Sequence, residues 1–142
     1  MLKVLRHVLL FVGLACGASL AGAATITVNT LSDELNADGD WSLREAVQAA
    51  NTDAAVDACA AGGAGGGLSV LPAGTIPVAA TIQVNESVTI RGAGRASTTV
   101  NRGGSTAFNS SAAGVVLTLE DMTVVGGANA LNGAIAATRV DF

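Results

Sequence analysis

The sequence has no tyrosine, a single tryptophan and three phenylalanines, so aromatics make up 3% of a chain that is 50% hydrophobic. Its apolar content therefore rests on Ala, Val, Ile and Leu. Small and β-branched side chains suit narrow, repetitive β-architecture better than a helical bundle. Basic residues are also scarce. The only lysine, Lys3, and the only histidine, His7, lie at the extreme N-terminus, and the net charge is −4. The remainder thus lacks the usual near-neutral proton shuttle. It also lacks the positive field with which proteins hold nucleic acid or anionic lipid. The longest apolar stretch, Val8 to Leu20, is too short to span a bilayer comfortably.

That stretch has another use. Lys3 and Arg6 precede it and Ala21-Gly22-Ala23 follows it. A basic start, an apolar run and small residues at a cleavage site describe a secretory signal peptide over residues 1–23, cut after Ala23. The expected location is secreted or cell-surface, with no membrane span after cleavage. Five arginines then face eleven acidic residues, and Cys59 is the only cysteine left. A mature chain with one cysteine forms no internal disulfide, although an exported compartment would permit one.

Glycine is plentiful, with 18 residues, and it punctuates short β-like runs. Thr25 to Thr30 alternates polar and apolar, which predicts a strand with Ile26 and Val28 inward. Leu31 to Asp40 reads as an acidic loop, and Ser42 to Asn51 as a helix. Leu43, Ala46, Val47 and Ala50 give that helix one apolar face. Ser42 and Glu45 have the spacing of a capping box, and Asn51 is a C-terminal stop. Asn51 to Gly67 reads as a Gly/Ala-rich connection. After it come "LSVL" (68–71), "TIQV" (81–84), "SVTI" (87–90), "TTV" (98–100), "GVVLTL" (114–119), "MTVV" (122–125) and "GAIAATRV" (133–140). Pro72-Ala73-Gly74, Gly92-Ala93-Gly94 and similar pieces read as turns between them. Val100 aligns with Val124 and Phe108 with Ile135, an irregular recurrence of about one solenoid coil. The expectation is an all-β solenoid in two parts. Residues 24–67 form an N-terminal cap with its helix at 42–51. Residues 68–142 form about three coils of right-handed parallel β-helix, truncated at the end. A compact antiparallel β-sandwich is the alternative.

The acidic loop also has the spacing of a calcium loop. Counting from Glu34 as the first ligand, Asn36, Asp38, Asp40 (through its carbonyl), Ser42 and Glu45 fall at the remaining oxygen-ligand positions, with Gly39 at the turn. An entering helix is missing, and a solvated loop feeding a capped helix explains the same residues. The two readings compete for Glu45, because a carboxylate holding a metal gives up part of its capping role.

"TVNTLSDELNADGDWSLREAVQAANTDAAVDAC", Thr27 to Cys59, resembles the N-terminal region of secreted bacterial proteins marked by a Cys-Ser-Leu-Arg-Glu-Ala motif. "LPAGT" (71–75), "VTIRGAG" (88–94) and "LTLEDMTVVGG" (117–127) resemble the β-helix coils that follow it in that family. The resemblance implies a right-handed parallel β-helix of adhesin-like or pectin-lyase-like fold, in proteins that are usually much longer. It also implies that Trp41, Ser42, Leu43, Arg44, Glu45 and Ala46 form the structural cap. Trp41 stands where the family has its first cysteine, and Cys59 matches the second. Cys59 is therefore expected to be a free thiol, with apolar burial of Trp41 replacing a covalent tie. Such a tie would contribute roughly 3 kcal/mol, much of which one buried indole can offset.

Pectin-lyase-like enzymes use calcium-binding acids and a basic residue on the coils. Arg91, Arg95, Arg102, Glu120, Asp121, Arg139 and Asp141 are the residues available for that chemistry, but their spacing does not bring them together, and as turn charges they are ordinary. The reading is an exported structural or adhesin-like module with no catalytic constellation and no required cofactor beyond the optional Ca²⁺. Its partner is a surface glycan, a protein or further β-helix coils. A pectate-lyase-like enzyme is the alternative.

Overall fold

The computed structural model describes residues 24–63, 67–127 and 129–142. The signal peptide read over residues 1–23 lies outside the described residues, as does part of the Gly-rich run. Strand β1 (Thr25–Thr27) is followed by helix α1 (Leu43–Thr52). Nine strands come next: β2 (Gly67–Val70), β3 (Gly74–Pro77), β4 (Ile82–Gln83), β5 (Val88–Arg91), β6 (Thr98–Asn101), β7 (Phe108–Ser110), β8 (Leu117–Val125), β9 (Leu131–Gly133) and β10 (Ile135–Asp141). The result is a mostly parallel-strand sheet curled into a half-barrel with one short helix, in a solenoid-like arrangement. No helix among the described residues is long and apolar enough to cross a membrane.

Strands recur in three ladders. In the first, Thr25 pairs with Leu68, Leu68 with Thr89, Thr89 with Thr118, and Thr118 with Ala136. In the second, Thr75 pairs with Thr99 and Thr99 with Thr123. In the third, Ile82 pairs with Phe108 and Phe108 with Leu131. Every pairing between these strands is parallel, which overturns the antiparallel sandwich. Parallel neighbours need long crossovers, and here the crossover is the rest of a coil.

The period-2 pattern sends one apolar row inward on each ladder. Ile90 stacks on Leu119, Val100 on Val124, and Ile82 on Phe108, and all six are buried. Phe108 is the largest fully buried side chain. It fills space that small aliphatic residues leave. Polar rows face outward, including the threonines Thr75, Thr99 and Thr123.

Several boundaries differ from the sequence expectation, each for a local reason. Ser42 is the N-cap, so α1 starts at Leu43. The helix runs past Asn51 to Thr52 and stops at Asp53, whose φ of 49° is left-handed. Asn51 is still helical, and its side-chain amide bonds to another coil. β1 is assigned only to Thr27, although the Val28 amide still donates to the Val70 carbonyl at 2.9 Å. β3, β7 and β9 were not expected. Pro72, Gly74 and Pro77 disguise β3 as a turn, and it is the terminal strand of its sheet, where a residue without an N–H is tolerated. "GVVLTL" and "MTVV" form one strand, β8, bent at Asp121 with φ 54°. Val100 does meet Val124, but Phe108 meets Leu131, and Ile135 lies on Leu117. Both partners of Phe108 are apolar at similar spacing, and β9 takes the place on the third ladder before β10 opens the next coil.

The bend in β8 constrains the coil beneath it. Gly92 lies there, and a Cβ on it would come within 2.4 Å of the Asp121 carbonyl oxygen and 2.9 Å of the Thr98 Cβ. Thr98, itself buried, accepts from the Ala93 amide and donates to the Pro72 carbonyl 26 residues earlier. Glycine is thus required by close approach, not by turn chemistry alone.

Phe108→Ala is expected to cost about 3–5 kcal/mol, the range for truncating a buried Phe. Thr75→Ala on the outer face should change stability by less than about 0.5 kcal/mol. Urea unfolding of both variants checks this, with the slope unchanged.

Candidate functional site

The residues singled out in the sequence gather where the acidic loop meets α1. The capping box is complete. The Glu45 amide donates to Ser42 Oγ at 3.1 Å, and the Ser42 amide donates to Glu45 Oε2 at 2.9 Å. The Asn36 amide donates to the other carboxylate oxygen, Oε1, at 3.0 Å. The Ser42 hydroxyl donates to the Glu34 carbonyl at 2.8 Å. Ser42 and Glu45 are both fully buried. One carboxylate therefore starts the helix and folds the acidic loop onto it.

Arg44 works from the other side of the helix start. Its guanidinium makes two 2.8 Å bonds to the carboxylate oxygens of Asp33. It also donates to the Ala80 carbonyl at 2.7 Å, while the Ala79 amide donates to Asp33 at 2.6 Å. The Asp33 side chain is only 5% exposed. Loop, helix and the β3–β4 corner are thus joined by one bidentate pair. At the far end of α1, Asn51 donates to the Gln83 carbonyl at 2.8 Å and accepts from the Asn85 amide at 2.7 Å. Leu43, Ala46, Val47, Ala49 and Ala50 are buried beneath the helix. Gly62 crosses it so closely that a Cβ would sit 2.7 Å from the Ala49 carbonyl oxygen. The helix lies on the first coil. An open groove of about 360 Å³ runs between it and β4, lined by Leu35, Val47, Gln48, Ile82 and Gln83 among others.

The calcium ligand set divides. Carboxylate oxygens of Glu34, Asp38 and Asp40 lie within 4.8 Å of one another. Asn36 Nδ2 donates to both Glu34 and Asp38, at 3.2 and 3.0 Å. Ser42 and Glu45 are drawn into the capping box instead, and Asp40 brings its side chain where a carbonyl was expected. The three carboxylates offer hard oxygen donors of the kind Ca²⁺ takes, fewer than the six to eight it fills, and without the terminal bidentate glutamate of a twelve-residue loop. Partial burial and the charges of Asp38, Glu45 and Asp40 raise the Glu34 pKa above its ordinary value.

Cys59 is a buried free thiol. Burial pushes its pKa up to about 11, with the charges of Glu45 and Asp57 adding to the effect. Trp41 packs against the core, and its amide and carbonyl both bond to Asn29, at 2.7 and 3.0 Å. The tie between loop and connection is made by a hydrogen bond, from the Gly39 amide to Asp57 Oδ2 at 2.8 Å.

The remaining charged candidates sit on the coils as pairs. Arg91 bonds to Glu120 at 2.7 Å, Arg95 to Asp141 at 3.3 Å, and Arg139 to both oxygens of Asp121. The Arg139 hydrogen bond holds the Asp121 carboxyl below the usual carboxylate range, and the charges of Arg139, Arg91 and Arg95 reinforce it. Arg102 is outside these pairs, and its Nε is buried without a partner among the described residues. Sequence reasoning missed Asp33, Asn51 as a tether, and Asp57. Each acts on a partner that spacing along the chain does not indicate.

No family model matches the chain, and no curated protein or solved structure is similar to it beyond chance.

Two measurements probe this region. Millimolar Ca²⁺ is expected to raise the thermal midpoint by relieving repulsion among Glu34, Asp38 and Asp40, and Glu34→Gln should raise the midpoint without calcium while reducing the calcium response. An unchanged wild-type midpoint with calcium rejects a stabilising site. For Cys59, the unfolded chain releases its thiol proton near pH 8.5, about the reference value, while the fold retains it to about 11. The folded state binds more protons in that window, so this contribution is full below it and is lost as pH rises through it. Thermal midpoints should fall less steeply with alkaline pH in Cys59→Ala than in wild type.

Proposed function

We propose that the chain is an exported, non-catalytic scaffold: a right-handed parallel β-helix module of structural or adhesin-like type at the cell surface. The observation that carries this reading is how the coil charges are used. The arginines and acids that a polysaccharide-active β-helix would need are engaged with one another across coils, Arg91 with Glu120 and Arg139 with Asp121. Exposed pairs of this kind contribute about 0–1 kcal/mol each, so their main effect is to fix register between coils. Right-handedness rests on the general behaviour of parallel crossovers, about 98% of which take that hand. Export and surface location rest on the leader-like residues 1–23. The likeness of Thr27–Cys59 to the Cys-Ser-Leu-Arg-Glu-Ala region supports the same assignment. In this reading the cap seals the first coil, and the polar outer rows and the groove beside α1 face a surface glycan or protein.

A pectate-lyase-like activity is the second reading. It is favoured by Asp121, a left-handed non-glycine residue ionised beside three arginines. Non-glycine residues in such conformations cluster at functional sites. Incubation with polygalacturonate and Ca²⁺ separates the two. The scaffold is expected to release no unsaturated uronate. Release that disappears in Arg91→Ala and Asp121→Asn would overturn it in favour of the enzyme.

A further inference from the structure

β4, which forms one wall of the groove beside α1, is a terminal strand of its three-stranded sheet. The Ile82 and Val84 amides donate to the Ala107 and Asn109 carbonyls on the β7 side. Every peptide here is trans and planar, so the carbonyls of Thr81 and Gln83 point to the opposite edge. The helix already holds part of that edge. Asn51 takes the Gln83 carbonyl and the Asn85 amide, and Arg44 takes the Ala80 carbonyl. Between these two tethers the Thr81 carbonyl accepts no bond among the described residues. An edge of this kind invites an added strand. Here a tether stands on each side of the gap, so an extended peptide cannot run through it. The side chains of the groove are neutral. Gln48, Gln83 and Asn85 line it and are exposed. Gln83 accepts from Asn109 through Oε1. Its Nε2, and the whole amides of Gln48 and Asn85, have no partner among the described residues. Val47 and Ile82 are buried against the core, while Leu35 is 51% exposed. The chain has eleven acids, yet none lines the groove. The one charged side chain there, Arg44, is bonded to both oxygens of Asp33.

We propose that this groove binds a short neutral saccharide, an inference that rests on the scaffold reading and gives it a partner. An amide both donates and accepts, which is what sugar hydroxyls require. Gln48 on the helix and Gln83 and Asn85 on the strand side supply three such groups, and the Thr81 carbonyl supplies a further acceptor. Leu35 offers an apolar surface to the C–H face of a ring. An anion finds no unpaired cation in the groove, and a metal ion finds no carboxylate. The tethers at Arg44 and Asn51 exclude a peptide added along β4. The volume of about 360 Å³ falls at the small end of the roughly 300–1,000 Å³ typical of ligand pockets, which suits a short oligosaccharide.

Amide NMR of the nitrogen-15-labelled chain is the test. Cellotriose, maltotriose and mannotriose are titrated into the millimolar range, with trigalacturonate as the charged counterpart. At least one neutral trisaccharide should shift the side-chain amide signals of Gln48, Gln83 and Asn85, and trigalacturonate should leave them in place. In the double variant Gln48→Ala, Asn85→Ala the replaced side chains carry no bond of the scaffold, so far-UV circular dichroism should be unchanged. Affinity read at Gln83 should then fall about tenfold or more, the effect of losing two hydrogen-bonding groups. The proposal is overturned if no neutral trisaccharide moves these signals, if the double variant binds as wild type does, or if trigalacturonate binds there more tightly. Cleavage of trigalacturonate is a separate result that would end the scaffold reading, while the groove stands or falls on the neutral titrations.

Discussion

Parallel stacking makes each strand depend on a strand one coil away for its backbone hydrogen bonds. That constraint organises the whole molecule. A coil has little internal pairing of its own, so it is stable only with a neighbour on each side or a cover. The interior must repeat in register, because a slip of one residue would turn an apolar row outward. Ile90 on Leu119 and Val100 on Val124 satisfy this. The side-chain links between coils, such as Thr81 to the Thr106 carbonyl and Asn109 to Gln83, span 25 and 26 residues and hold the same register from outside.

The first coil gets its cover from ten helical residues and one loop. A helix of that length is marginal alone. It is held by a division of labour between adjacent residues. Glu45 turns inward and takes two backbone amides, one from the helix start and one from the loop. Arg44 turns the other way, to Asp33 and the Ala80 carbonyl. Removing Glu45 would leave the buried Ser42 amide without its acceptor, and a buried unsatisfied group costs about 1–3 kcal/mol. This is why the capping role dominates a possible ligand role for the same carboxylate. The acids that remain free to meet a cation are those farther out, Glu34, Asp38 and Asp40. Cys59 is buried as a free thiol, and Asp57, two residues before it, bonds the same connection to the loop at Gly39.

Much of this was legible beforehand. The helix, its capping box, the inward Ile26 and Val28, and most strands follow from periodicity and turn chemistry. β3, β7 and β9 did not, because a strand of three or four residues carries too few alternations to stand out from prolines, glycines and polar residues around it. The pairing of Phe108 was also ambiguous. Leu131 and Ile135 both suit it by chemistry, and only the path of the chain through β9 and β10 chooses between them. The acidic cluster was legible in part: spacing along the loop gathers Glu34, Asp38 and Asp40 and already sets the capping box against a ligand role for Glu45, but it does not show that the Asn36 amide takes the second Glu45 oxygen.

What the sequence determined by itself is the local code: small β-branched residues at period 2, glycine at the corners, and Ser42 with Glu45 to begin the helix. These are short-range effects, set by sterics and by bonds between residues a few positions apart. The tertiary structure decided which coil each strand meets, and that Asp33, Asn51 and Asp57 are tethers. It also decided that the coil charges pair with one another and that α1 lies across the first coil. Those outcomes depend on contacts between residues tens of positions apart. Many pairings of that kind are equally allowed locally, and only the simultaneous packing of all coils selects one.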